Sequence, residues 1–208
     1  MRIIIWTQAK RLFLMFQTSL LHYFKKLGYD CLSIFKIDNL KNFKILNDDI
    51  ILIIGVQFFN NIELLNIVKN NKIIVYNTEP LCCENRKKDI FNCLDKLINT
   101  DFVIWEYCDY NYNILVNKYK NIKLFPFGYY ENYLNRIKLT KKKDIDVLFY
   151  GDLTKRRKIL MKKLKERNIK FYFTNKTYDL NKRDNLISRS KIVLDIFRSN
   201  NYKCNNLY

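Results

Sequence analysis

The sequence predicts an α/β protein in which short buried strands alternate with amphipathic helices. Two observations support this fold class. Apolar runs of four to six residues recur along the chain, and longer stretches of mixed character lie between most of them, a pattern typical of a doubly wound parallel sheet. Glycine also follows several of these elements, where the chain needs a tight exit. We therefore predict two Rossmann-like domains, the second of them short.

The first domain is predicted over residues 1–130. Its strands are expected at Arg2–Trp6, Asp30–Phe35, Ile50–Val56, Lys72–Tyr76, Asp101–Trp105 and Asn121–Phe125. Helices are expected over Thr18–Leu27 and Glu84–Ile98, because apolar residues fall on one helical face in each segment. Gly28 would end the first of these helices as a C-cap, and Gly55 would end a buried strand.

A polar, basic linker over residues 131–143 is predicted to join the second domain, residues 144–208. The second domain continues the alternation of strand and helix. Strands are expected at Asp146–Tyr150, Ile169–Phe173 and Lys191–Phe197, and helices at Thr154–Arg167 and Arg183–Arg189.

The composition excludes several classes of protein. With 49% hydrophobic and 15% aromatic residues, the chain is too apolar for a disordered polymer. Its longest apolar run, Ile50–Val56, is far shorter than the roughly 20 residues of a membrane-spanning helix. The start of the chain lacks the apolar core and the cleavage site of a signal peptide. We expect a cytoplasmic protein with no membrane span.

Cysteine and carboxylate patterns give little support for a metal site. The chain has six cysteines, no C-x-x-C pair and one histidine, which favours free thiols. Asp144 and Asp146 form a D-x-D pair, but they precede a strand or stand at its start, whereas ligands in open α/β sheets bind beyond the carboxyl ends. No essential metal or cofactor is expected.

The net charge of +18 favours an anionic partner. Fourteen Lys or Arg against five acids fall between Tyr130 and Lys170. Part of this charge is explained by enrichment in Lys, Asn, Ile, Tyr and Phe, which AT-rich codons supply. Such a composition is compatible with a giant virus or with an AT-rich protist or bacterium.

Cations crowd the start of one predicted helix. Gly151 ends a strand, and Lys155, Arg156, Arg157 and Lys158 follow it. Positive charge in the first turn of a helix costs roughly 0.3–1 kcal/mol per residue unless an anion lies nearby. Exposed N–H groups and arginine side chains together would bind a diphosphate. The alternative is a solvated face of a basic protein.

Glu79 is the candidate base. It follows the strand Lys72–Tyr76 at its carboxyl end, where ligands bind in open α/β sheets. It would deprotonate or bind an acceptor hydroxyl. The alternative is a carboxylate that caps the following turn.

Five segments in order carry a family resemblance. They are Ile73–Glu79, Asp101–Tyr107, Leu124–Tyr129, Asp144–Gly151 with Arg156 and Arg157, and Leu186–Ile196. Together they resemble the GT-B glycosyltransferase-like proteins of bacteria and giant viruses that are related to spore-maturation glycosyltransferases. The similarity covers about residues 70–200.

The resemblance implies two Rossmann-like domains facing across a cleft. The first would bind an acceptor, and the second a nucleotide-sugar without an essential metal. Carried over, Gly151 would lie beside the donor, Arg156 and Arg157 would lie near its diphosphate, and the segment Arg189–Asp195 would supply the next strand of the donor domain. Together with the position and charge arguments above, we predict Glu79 as the catalytic residue. The predicted donor-binding residues are Gly151, Lys155, Arg156, Arg157, Arg189 and Asp195.

The chain departs from this family at its C-terminal end. Family members tend to have Asn and His where this chain has Asp195 and Phe197, and they continue beyond the equivalent of Tyr208. We therefore expect an incomplete second domain, self-association through an exposed sheet edge, and a transferase that truncation could inactivate. The alternative function is a non-enzymatic basic α/β module that binds nucleic acid or another polyanion nonspecifically.

Overall fold

The computed structural model describes residues 1–58, 66–82, 84–128, 130–131, 136–138, 140–175 and 179–196. These residues fall into two compact units, the first unit up to Gly128 and the second unit from Tyr130 to Ile196. The first contains a parallel sheet of six strands, and the second a parallel sheet of three. The α/β class predicted from the alternation of strands and helices is confirmed.

The six strands of the first unit lie close to their predicted positions. They are β1 Arg2–Thr7, β2 Asp30–Phe35, β3 Ile50–Ile54, β4 Lys72–Asn77, β5 Phe102–Glu106 and β6 Ile122–Leu124. Their order is β2-β1-β3-β4-β5-β6. The chain therefore moves to one side of β1 and then to the other, and the carboxyl ends of the strands form one edge where a ligand can bind. We call this edge the carboxyl edge.

Helices cover both faces of the six-stranded sheet. They are α1 Lys10–Lys26, α2 Ile37–Lys41, α3 Glu84–Asp95 and α4 Asp109–Leu115, with a 3₁₀ turn at Val56–Phe58. On one face, strand residues such as Leu52 and Ile54 pack against α1. On the other, Ile51 and Ile53 share a core with Leu94 of α3. Because helices cover both faces, the central strands are nearly all aliphatic.

Gly28 ends α1 as the sequence predicts. Its φ is 85°, a left-handed conformation that favours glycine. The N–H of Gly28 donates to the carbonyl of Lys25 at 3.0 Å, and that of Tyr29 donates to Phe24 at 3.0 Å. These bonds satisfy carbonyls at the end of the helix and turn the chain into β2.

The second unit has fewer elements. They are β7 Ile145–Tyr150, α5 Lys155–Glu166, β8 Phe171–Thr174, α6 Leu180–Arg189 and β9 Ser190–Val193, with the strand order β8-β7-β9. Within the described part of the chain, β9 pairs with β7 alone and its Ile192 is 57% exposed. The expected self-association through this edge stays a prediction. Phe197, the predicted end of this strand, lies outside the described residues.

Part of the predicted linker packs within the second unit. Arg136 Nε donates to Asp184 Oδ2 at 3.1 Å, and Lys143 Nζ donates to the carbonyl of Ser188 at 2.5 Å. Both acceptors belong to α6, so these two residues are fixed to a helix. None of the helices in the described ranges is long and apolar enough to cross a membrane.

Candidate functional site

Glu79 lies at the carboxyl edge, just beyond β4. Its half-buried side chain accepts a hydrogen bond through Oε1 from Gln57 Nε2 at 3.0 Å. Gln57 follows β3, the neighbour of β4 in the sheet. Two adjacent strand ends therefore hold the predicted base in a defined position.

A second carboxylate, Glu106, lies one strand further along the same edge. It is the last residue of β5, it is fully buried, and it pairs in register with Asn77 of β4. Its side chain accepts from the Asn77 amide at 2.7 Å, from the Asn111 amide at 3.0 Å, and from the backbone N–H groups of Tyr107 at 2.8 Å and Cys108 at 3.4 Å. This buried network was not among the predicted site residues.

The two amides also hold the backbone of Glu79. Asn77 Nδ2 and Asn111 Nδ2 both donate to the carbonyl of Glu79, at 3.0 and 2.9 Å. In return, the N–H of Glu79 donates to Asn77 Oδ1 at 3.2 Å, and that of Leu81 donates to Asn111 Oδ1 at 2.9 Å. Glu106 therefore fixes, through two asparagines, the loop that carries Glu79.

Burial changes the acidity of Glu106. Removal from water disfavours the charged form and raises its pKa to about 7, although the hydrogen bonds from Asn77, Asn111, Tyr107 and Cys108 act in the opposite direction. Glu106 therefore titrates near neutral pH, unlike an exposed glutamate.

This shift predicts that the first unit loses stability as the pH rises. The folded pKa lies above the ordinary value of 4.5, so the folded state binds more protons between the two values. The stabilisation is complete below about pH 4.5 and is lost as the pH rises through about 7, a change on the order of 3 kcal/mol. Urea unfolding measured across this range should show the decrease, and Glu106→Gln should remove it. If the free energy of unfolding changes with pH equally in the natural protein and in Glu106→Gln, Glu106 is not the group that titrates.

In the second unit, most predicted donor residues lie near the carboxyl end of β7. Gly151 follows β7 with φ 136°. Thr154 caps α5, because its hydroxyl accepts from the N–H of Arg157 at 3.4 Å. Lys155 is exposed and Arg156 half-buried. The chain therefore passes from the carboxyl end of β7 almost directly into the first turn of α5, which is rich in Lys and Arg.

Arg157 is bound to its own unit. Its Nε and Nη2 donate to the carbonyl of Ile196 at 2.9 and 2.6 Å, and its Nη1 donates to the carbonyl of Asp152 at 2.8 Å. The guanidinium also lies 4.9 Å from the centre of the Phe149 ring. These contacts join the loop after β7 to the segment after β9.

Arg189 lies at the opposite edge of this sheet. It pairs with both carboxylate oxygens of Asp144, just before β7, and lowers the pKa of Asp144 to about 2. Lys191 similarly donates to Asp146 at 2.6 Å. The structure therefore does not bring Arg189 together with Arg156, and cations of the chain itself bind both members of the D-x-D pair.

Asp195 and Arg156 line one cavity of about 380 Å³. Its other lining residues include Leu160, Leu164 and Leu194. In this cavity, predicted donor residues from α5 and from the segment after β9 lie side by side.

Thiols and carboxylates do not cluster in the described part of the chain. Over those residues, no group of three or more His, Cys, Asp or Glu could hold a metal ion. Cys31, Cys82, Cys93 and Cys108 are free thiols. Cys83 and Cys204 lie outside the described residues.

No protein-family model, curated protein or solved structure matches this chain.

Proposed function

We propose that this chain is a GT-B-like glycosyltransferase that moves a sugar from a nucleotide-sugar to an acceptor, with two Rossmann-like domains. The first unit would bind the acceptor, and the second the donor. One observation carries the proposal: Glu79 in one unit, and Gly151 with its cationic helix start in the other, both follow the carboxyl end of a parallel strand. Such ends are the usual ligand sites of α/β sheets.

The donor side would stabilise the departing diphosphate. Its charge would be met by the N–H groups at the start of α5 and by Lys155 and Arg156. Arg157 would act indirectly, because its bond to the Asp152 carbonyl fixes the loop between Gly151 and Thr154. No metal is needed in this scheme, since side chains and backbone donors supply the positive charge.

The acceptor side would activate a hydroxyl. The Glu79 carboxylate would take the proton while the acceptor oxygen bonds to the anomeric carbon of the donor. The bond from that carbon to the diphosphate oxygen would break, and the nucleoside diphosphate would leave with the electron pair. Gln57 would orient Glu79 through their hydrogen bond.

Nucleotide binding tests this proposal. UDP, GDP or ADP at ten times its dissociation constant should stabilise the protein by about 1.4 kcal/mol, because a ligand of the native state alone raises stability. A melting curve should shift by about 3–5 °C. Arg156→Ala combined with Lys155→Ala should abolish the shift, whereas Lys182→Ala, on the exposed surface of α6, should retain it.

The alternative function has its own supporting observation. Helix α5 carries seven Lys or Arg against one Glu, and none of its residues is buried. If a DNA oligonucleotide stabilises the protein in a salt-dependent way while no nucleoside diphosphate does at millimolar concentration, the donor site is excluded and nonspecific polyanion binding is favoured.

A further inference from the structure

Two phenylalanines beside β6 keep much of their surface in water. Phe125 is 39% exposed and Phe127 is 52% exposed. Phe125 stacks on Trp105 at a centroid distance of 4.3 Å, and Phe127 stacks on Tyr107 at 5.0 Å, each pair within 18° of parallel. We call these four residues the aromatic platform.

The platform is held firmly at the carboxyl edge. The N–H of Phe125 donates to the carbonyl of Glu106 at 2.7 Å, and its carbonyl accepts from the Tyr76 hydroxyl at 2.6 Å. Phe16 of α1 contacts the Phe127 ring edge-on at 5.2 Å. Rings fixed in this way lose little conformational entropy when a ligand covers them.

Glu106 connects the platform to the predicted base. Its backbone carbonyl binds Phe125, while its carboxylate binds the asparagines that hold the Glu79 loop. At the same edge, the buried atoms Gln57 Oε1 and Thr78 Oγ1 have no hydrogen-bond partner within the described residues. The edge therefore combines exposed ring surface with buried polar groups that have hydrogen-bonding capacity left.

The charge of the neighbouring segments disfavours a polyanion as the ligand of these rings. Three of the segments at this edge, Tyr76–Leu81, Trp105–Asp109 and Leu124–Gly128, contain three acids and no Lys or Arg, although Lys123 precedes the last of them and Lys36 follows β2. This is unusual in a chain with a net charge of +18. A nucleic acid that stacked its bases here would find carboxylates where its phosphates need cations. The ligand should therefore be uncharged.

We propose that the aromatic platform is a subsite for a pyranose ring, so that the acceptor of the proposed transfer is an uncharged saccharide. A pyranose has a face of polarised C–H groups, which packs on the negative face of an aromatic ring. Its hydroxyl groups suit carboxylates and amides such as those around Glu79. The inference rests on the proposed function for the role of this sugar as acceptor, but the subsite itself can be tested separately.

Sugar binding to the whole chain provides the test. Methyl glycosides of glucose, galactose, mannose and N-acetylglucosamine are titrated to about 100 mM, and saturation-transfer NMR and tryptophan fluorescence are recorded, since weak ligands bind in the millimolar range. We expect at least one of them to bind and to change the emission of Trp105. Phe125→Ala and Phe127→Ala should each weaken binding about tenfold.

Matched variants separate a lost subsite from a damaged fold. Phe127→Leu keeps an apolar side chain without a ring and should also weaken binding while melting as the natural protein does. Tyr172→Ala removes a ring that is 46% exposed in the second unit and should leave sugar binding unchanged. Failure of all four glycosides to bind, or unchanged binding in both alanine variants, would overturn the inference.

The two proposals can fail independently. A nucleotide-induced melting shift without any sugar binding would leave the donor site standing and remove the saccharide subsite. Sugar binding that depends on Phe127, in a protein that no nucleoside diphosphate stabilises, would keep the subsite and remove the proposed transfer reaction. Binding of an RNA oligomer that Phe125→Ala weakens would contradict the choice of an uncharged ligand.

Discussion

Replacing Glu106 with alanine is expected to lower the free energy of unfolding of the first unit by about 4 kcal/mol. The change would leave the amides of Asn77 and Asn111 and two backbone N–H groups without their buried acceptor, and an unsatisfied buried donor costs roughly 1–3 kcal/mol. Trp6 and Trp105 both lie in this unit. Urea unfolding followed by tryptophan fluorescence therefore measures the effect directly.

Two further variants define the cause. Glu84→Ala removes a glutamate whose side chain is 85% exposed and should change stability by less than about 0.5 kcal/mol. Glu106→Gln keeps the volume but replaces one acceptor oxygen by a donor, so its cost should be intermediate. If Glu106→Ala unfolds at the same urea concentration as Glu84→Ala, the network does not hold this edge together.

Replacing Arg157 with alanine should destabilise the second unit by about 3 kcal/mol. The variant loses three hydrogen bonds to the carbonyls of Ile196 and Asp152, together with the contact to the Phe149 ring. A hydrogen bond from a charged donor contributes roughly 1.5–3 kcal/mol. The net loss is smaller than the sum of the three bonds, because the alanine variant no longer removes a guanidinium from water. Hydrogen exchange of backbone amides in β7 and β9 should accelerate by about two orders of magnitude, because each 1.4 kcal/mol is tenfold.

Two further variants, Arg157→Lys and Lys158→Ala, distinguish the charge of Arg157 from the geometry of its guanidinium. Arg157→Lys retains the charge but cannot donate to two carbonyls in the same fork, so it should lose most of the stability. Lys158→Ala, on the exposed side of the same helical turn, should behave as the natural protein does. Unchanged exchange rates in Arg157→Ala would show that its bonds contribute no net stability.

Strand positions could be predicted from the sequence, and some helices could not. β2 spans the predicted residues because Gly28 and Lys36 bound a short, mostly apolar segment that leaves few alternative strand limits. Helix α1 begins eight residues before its predicted start, at Lys10. The segment before Thr18 is apolar on nearly all sides, so its periodicity gives no helical signal. Phe13 and Phe16 of that segment nevertheless pack on the sheet.

Helix α4 was missed for a different reason. Its Asn- and Tyr-rich sequence has weak helix propensity, so the residues after Asp109 give no helical signal. The structure forms a helix there because Leu115 enters the core and Asn111 joins the network around Glu106. Both contacts are tertiary, and neither can be deduced from local pattern.

In the candidate site too, some residues could be predicted from the sequence and others could not. Glu79 could be predicted because it follows a strand at the edge where ligands bind. Glu106 satisfies the same criterion one strand away, because it directly follows the predicted strand Asp101–Trp105, whereas its register with Asn77 is seen only in the structure. Arg189 precedes a strand, so the argument applied to Asp144 would have placed it at the amino edge as well. The hydrogen bonds of Arg157 to the Ile196 and Asp152 carbonyls depend on the tertiary fold, so no local sequence pattern predicts them.

The acidic character of the aromatic edge has a consequence inside a crowded cell. A protein with a net charge of +18 will attract RNA and other abundant polyanions. Exposed aromatic rings would then be the surface on which RNA bases most readily stack. If the proposed saccharide subsite is correct, the acids Glu79 and Asp109 in the neighbouring segments would disfavour such competitors, and the rings of Phe125 and Phe127 would stay available to a neutral ligand.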